Sequence, residues 1–121
     1  MKKLLDAFAY AGNGIGHAFK TERNFRIEIF CAAAVCIAGF VFKIPGTTWP
    51  VILFNIGIVL STELINTAIE KLCNSFTTEF HPAVKLIKDA SAAAVLVSAV
   101  AAALCGGLVF IPAIIHFIKT I

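Results

Sequence analysis

Charge is scarce in this sequence: ten Lys and Arg and seven Asp and Glu make up 14% of 121 residues, where ordinary globular domains carry about 25%. A soluble domain this small leaves much of its surface in water, and so few charged side chains cannot cover it. Paired cysteines are lacking too. Cys31, Cys36, Cys73 and Cys105 lie in apolar runs with no CxxC spacing, which argues against a zinc site or disulfide framework and reads them as small buried hydrophobes. No basic stripe with interleaved aromatics follows the amino end, so nucleic acid is not an expected partner. Asp6, Asn13 and His17 interrupt the apolar stretch that a cleavable signal peptide needs. What abounds is hydrophobicity, at 60% of residues and a mean hydropathy of +0.93. The solvent for this chain is lipid.

Residues 1–20 place Leu4, Leu5, Phe8, Ile15 and Phe19 at near-helical spacing between polar side chains. That pattern predicts an amphipathic helix lying in the membrane interface. Glycines at 12, 14 and 16 predict a break or bend in it. The run GNGIG follows no strand, so close helix packing is its expected use rather than a nucleotide loop. Three apolar segments follow, at about 25–42, 49–74 and 90–117, each meeting the ~20 residues a tilted bilayer crossing needs. The expected fold is an all-α integral membrane protein: a surface helix plus three transmembrane helices in one domain over residues 1–121. The 43–48 link is short and makes a hairpin, whereas the 75–89 link is longer and polar. Residues 1–26 and 71–89 hold eight of the ten Lys and Arg. The positive-inside rule therefore puts the amino end and second link in the cytoplasm and the carboxyl end outside.

The second span contains polar residues that a lipid-facing helix does not want. Within STELINTAIEKLCNSF, Glu63, Asn66, Glu70 and Asn74 stand at i, i+3, i+7 and i+11, one stripe within an arc of about 80°. Carboxylates in a span face a protein interior or a watery cavity. The stripe therefore reads either as a seam that glues helices or lines a pore, or as a catalytic or transport site. Two further clusters favour chemistry. Glu22 to Glu28 lies where the first span leaves the cytoplasm, and Glu79-Phe80-His81 and Lys88-Asp89 flank the third span on that side. Acids for Mg²⁺, a cation for phosphate and a base are the inventory of phosphoryl transfer. Taken singly, Glu22 and Glu28 also read as partners of Arg23 and Arg26, and Lys88 as a snorkelling flank.

Glu63-Leu-Ile-Asn66-Thr-Ala-Ile-Glu70 resembles the signature of the prokaryotic diacylglycerol kinase family, which includes undecaprenol kinases. The resemblance runs through nearly the whole chain, with separate blocks in the same order. It departs at Cys73-Asn74, where the family pattern has Val-Asp, and at Phe80, where many relatives have tyrosine. The resemblance implies a homotrimeric, three-span kinase of the bacterial inner membrane that phosphorylates a lipid hydroxyl with MgATP at the cytoplasmic surface. Diacylglycerol, giving phosphatidic acid, is the first expected acceptor and undecaprenol the alternative. By resemblance Glu63 is the general base, Glu22 and Glu70 hold Mg²⁺, and Asn66 supports them. Lys3, Tyr10, Glu22, Glu70, Glu79, Phe80, His81, Lys88 and Asp89 match nucleotide-contacting positions. The rival from another class is a small proton-coupled transporter using Glu63 or Glu70, which has no use for a cytoplasmic gathering of Glu22, Lys88 and Asp89.

Overall fold

The computed structural model describes residues 1–121 and contains four α-helices and no strand. They are α1 (Lys2–Thr21), α2 (Arg23–Val41), α3 (Trp49–Phe76) and α4 (Pro82–Thr120), with a single 3₁₀ turn at Gly46–Thr48 before α3. Helices α2, α3 and α4 are long and apolar enough to cross a membrane. Helix α3 is central, and α4, α2 and α1 all pack on it.

Two expectations are corrected. Helix α1 is continuous through Gly12, Gly14 and Gly16 rather than broken. Each glycine costs about 1 kcal/mol against alanine, and that penalty does not open the hydrogen-bond ladder of a 20-residue helix. The segment 82–89, assigned to the polar link, is the first two turns of α4. Its start is chemical: Pro82 takes the first helical position and His81 caps it, Nδ1 accepting from the Ala83 N–H at 3.2 Å.

The connections explain how the helices are held. At the α1–α2 corner Glu22 is extended, its N–H donating to the Ala18 carbonyl at 2.8 Å. Arg26 then donates through Nη1 to the carbonyls of Phe19 at 2.8 Å and Lys20 at 3.1 Å, binding a cation to the carbonyl end of α1. At the opposite end α2 closes in a Schellman motif, with Ile44 N–H on Gly39 O at 3.1 Å and Lys43 N–H on Phe40 O at 3.4 Å. Lys43 takes the left-handed position at φ 52°. Gly39 is required there, because a Cβ on it would stand 2.7 Å from the Trp49 ring.

The interior reverses that of a soluble domain. Glu63, Asn66, Thr67, Ser91 and Ser98 are buried, as many side chains as the apolar Ala18, Phe25, Ile44, Ile52 and Cys73. Large hydrophobics such as Phe30, Phe54 and Leu104 lie on the outside, as expected where lipid is the solvent and polar or small residues join helices. The cysteines are all free, but only Cys73 is buried and Cys31 is exposed. A lipid-facing surface imposes no penalty on it, so the expectation of burial fails there.

Candidate active site

The 3.6-residue period of α3 puts Glu63, Asn66 and Glu70 on the side turned into the bundle. Glu63 is 3% exposed and Asn66 7%, while Glu70 is half-buried and Asn74 is exposed. Glu63 makes no hydrogen bond within the chain, yet the charges of Glu70 and Glu22 reach it, and its own reaches Glu28. Three of these four carboxylates lie on membrane-spanning helices, and helix adhesion alone does not explain them.

A short relay fixes the inner end of this group. Ser91 on α4 donates to Asn66 Oδ1 at 2.7 Å, and Asn66 Nδ2 donates to Glu70 Oε1 at 3.3 Å. The hydroxyl therefore settles which way the Asn66 amide faces. One turn outward, the hydroxyls of Thr62 and Ser98 meet at 2.9 Å. Across the corner Lys71 sits 3.7 Å from Glu22 Oε1, a separation at the long end for an ion pair. Lys88 Nζ donates to Asn74 Oδ1 at 2.5 Å. Asn74 is an amide and leaves the Lys88 charge unneutralised. Asp89 pairs with Lys85 at 2.6 Å.

The expected site residues thus divide in two. Glu22, Glu63, Asn66 and Glu70 come together, with Lys88 beside them on Asn74. Lys3, Tyr10, Glu79, Phe80 and His81 do not join them within one chain. Lys3 and Tyr10 are exposed, and they precede the buried Ala18 of α1 by about 22 and 12 Å of helix. Glu79, Phe80 and His81 lie exposed on the link before α4. Neither arginine pairs with the acids expected of it, because Arg26 is spent on α1 and Glu22 turns to Lys71. Sequence reasoning missed Lys71, Ser91 and Ser98. Two serines seven residues apart in an alanine-rich span were the available signal.

No three Asp, Glu, His or Cys side chains gather closely enough to cage a metal ion. The donor set fits Mg²⁺ arriving with a nucleotide, since that ion takes one or two carboxylates and completes its shell with phosphate and water. Glu22 Oε2 and Glu70 Oε2 accept no hydrogen bond within the chain and remain available.

A profile for prokaryotic diacylglycerol kinase matches residues 9–110. The chain belongs to the prokaryotic diacylglycerol kinase family. It is 40% identical over 112 residues to the undecaprenol kinase of Bacillus subtilis, covering 93% of this chain and 91% of that one. It is 36% identical over 110 residues to a diacylglycerol kinase of Synechocystis, covering 90% of this chain and 63% of the relative. The diacylglycerol kinase of Escherichia coli is 24% identical over 100 residues, or 83% of this chain and 82% of that one. The stretch matched to the family contains every expected site residue except Lys3, which lies before it.

Proposed function

We propose that this chain is a membrane lipid kinase, transferring the γ-phosphoryl group of MgATP to a lipid hydroxyl at the cytoplasmic face of the bacterial inner membrane. The carrying observation is the buried, unpaired carboxylate of Glu63 on the same helix face as Glu70. Seven residues separate them, so Glu63 stands about 10 Å deeper in the bilayer. A lipid hydroxyl arrives from the membrane side and a nucleotide from the water side, which matches that order.

In this mechanism Glu63 accepts the proton as the lipid oxygen attacks the γ-phosphorus and ADP leaves with the bridging oxygen. Glu22 and Glu70 would hold Mg²⁺, which would supply neutralisation of charge on the transferring group. Asn66, set by Ser91, holds Glu70 in place. Lys88 supplies a cation to the phosphates, with Asp89, Glu79, Phe80 and His81 on the nucleotide side. Lys3 and Tyr10 reach a site best from a neighbouring chain, which supports an oligomer; we take it as a homotrimer, and the excess of Lys and Arg in residues 1–26 and 71–89 supports a cytoplasmic amino end and an outer carboxyl end. Residues 1–121 act as one kinase domain.

Undecaprenol is taken as the first acceptor and diacylglycerol as the second, because the relative matched over nine-tenths of both chains is named an undecaprenol kinase. The test is transfer from labelled ATP to a lipid panel in mixed micelles. Labelled undecaprenyl phosphate exceeding labelled phosphatidic acid is the expected result. A protein that neither binds ATP nor labels any lipid alcohol returns the transporter to first place.

A further inference from the structure

Glu22 is the single residue between α1 and α2, and neither helix includes it. Its backbone is extended, at φ −108° and ψ 109°. That region is broad, so the local chain does not by itself fix the angle between the two helices. Helix α1 has little hold of its own: residues 1–15 are all exposed, and Ala18 is its one buried residue. The membrane interface keeps an amphipathic helix in its plane but does not set its heading within that plane. The heading has to be set at the corner.

One side chain spans that corner. The last carbonyls of a helix have no partner within it. At the end of α1 that of Ala18 accepts from the Glu22 N–H at 2.8 Å, and those of Phe19 and Lys20 have no backbone donor. Both accept instead from Arg26 Nη1, at 2.8 and 3.1 Å. The backbone N–H of Arg26 donates to the Glu22 carbonyl at 3.3 Å. Arg26 therefore grips the chain on both sides of Glu22. No other side chain beyond the corner hydrogen-bonds to α1. Arg23, one turn earlier on α2, is exposed and makes no such bond. The chemistry suits the place, since a cation at the carbonyl end of a helix meets the negative end of its dipole. A guanidinium is also weakly hydrated and presents its N–H groups in a fixed plane.

What the grip controls follows from lever arms. Tyr10 lies about 15 Å along α1 from Lys20, and Lys3 about 26 Å. A turn of about 15° at the corner would move Tyr10 by about 4 Å and Lys3 by about 7 Å, far beyond the tolerance of a hydrogen bond. Glu22 stands at the pivot, where the same turn re-aims its carboxylate. Lys71 restrains that carboxylate from 3.7 Å and on one oxygen only.

We propose that Arg26 is a positioning residue that locks the α1–α2 corner, aiming Glu22 toward the carboxylates of α3 and setting the heading of α1 with Tyr10 and Lys3 on it. Its effect on metal and nucleotide binding rests on the lipid-kinase reading, and the lock on the geometry alone.

The test reads the corner and its consequence separately. Nitroxides are placed on cysteines at Ala9 and Ile37, both exposed, in a variant whose four native cysteines are replaced. Labelled chains are diluted into unlabelled ones in lipid nanodiscs, and the distance is read by pulsed electron resonance. The parent is expected to give one narrow distribution, and Arg26→Gln one at least twice as wide or displaced by about 4 Å or more. Arg26→Lys keeps a cation at the two carbonyls and is expected to restore the narrow distribution. Arg23→Gln, which removes a charge from the same surface, is expected to leave it unchanged. Arg26→Met keeps the apolar stem and serves should Arg26→Gln fail to insert. In unlabelled protein Arg26→Gln is expected to raise the Mg²⁺ needed for half-maximal rate and the KM for MgATP at least fivefold, with the KM for lipid within twofold. A parental distance distribution in the folded Gln or Met variant overturns the lock, as does equal disturbance by Arg26→Lys or Arg23→Gln. A lower kcat with the Mg²⁺ curve and the KM for MgATP unmoved overturns the positioning role. Disturbed distances in a protein that phosphorylates no lipid uphold the lock and reject the kinase reading instead.

Discussion

Ser91→Ala removes one hydroxyl that touches neither substrate nor metal, yet its effect is expected in the metal dependence. In the intact protein the hydroxyl donates to Asn66 Oδ1 at 2.7 Å, and both residues are buried. Without it, Oδ1 loses its donor and nothing holds the amide nitrogen toward Glu70 Oε1 at 3.3 Å. Hydrogen bonds between membrane helices are worth about 0.6 kcal/mol on average and about 1.7 at most. The orphaned acceptor raises the cost toward 1–3 kcal/mol, the range for an unpaired buried group. A loss of about 1–2 kcal/mol in Glu70 positioning corresponds to roughly a 5- to 30-fold rise in the Mg²⁺ needed for half-maximal rate. The assay is initial rate against free Mg²⁺ in mixed micelles at saturating lipid. Ser91→Thr keeps the hydroxyl and is expected within about threefold of the parent, and the KM for lipid stays unchanged in both. An unaltered Mg²⁺ curve in folded Ser91→Ala, or equal damage in Ser91→Thr, refutes the relay.

Three other outcomes are expected. Glu70→Gln abolishes transfer while the protein still inserts and assembles, and activity within a few-fold of the parent removes Glu70 from the metal site. Glu63→Gln depresses kcat by 100-fold or more, in line with general-base contributions of about 10²–10⁴, and leaves MgATP affinity nearly unchanged; binding lost in proportion to rate moves Glu63 to the nucleotide. Gly39→Ala sets a methyl 2.7 Å from the Trp49 ring and costs about 1–3 kcal/mol by overpacking, read as a lower midpoint of thermal unfolding in micelles; no shift, or no recovery on adding Trp49→Leu, refutes the close-approach argument.

The architecture was legible because lipid imposes few rules and the sequence obeys them. Three long apolar runs at 25–42, 49–74 and 90–117 correspond to α2, α3 and α4, and one period of 3.6 set the Glu63, Asn66 and Glu70 stripe. Helix ends were less legible, since His81 and Pro82 start α4 inside a segment whose charges read as a link. The continuity of α1 was missed because three glycines weaken a helix without cutting it. Within the site the single residues were readable and their pairings were not. Glu22 meets Lys71 and Asn66 meets Ser91, and each pairing depends on how two helices are rotated against each other.

The buried polar residues then serve two purposes that a soluble enzyme separates. Lipid tails are as apolar as leucine, so nothing drives α3 and α4 together except close packing and hydrogen bonds. Of the three side-chain hydrogen bonds that join them, Asn66–Ser91 and Thr62–Ser98 lie beside Glu63 and Glu70, and Asn74–Lys88 lies one turn beyond Glu70. Beyond Ser98 toward its carboxyl end, α4 turns Ala99, Ala103, Gly106 and Gly107 to α2 and α3 across an open groove, with no polar pin. Pro112 further removes the amide that the Leu108 carbonyl would accept from within the helix. At the far end the rings of Phe42 and Phe117 meet edge-on at 5.2 Å, a contact that can shift without leaving a polar group unpaired. The bundle is therefore pinned by hydrogen bonds beside its buried carboxylates and joined by apolar contacts alone toward the far end. Moving the hydroxyl pins outward would reverse this arrangement and leave Glu70 without the support of Asn66.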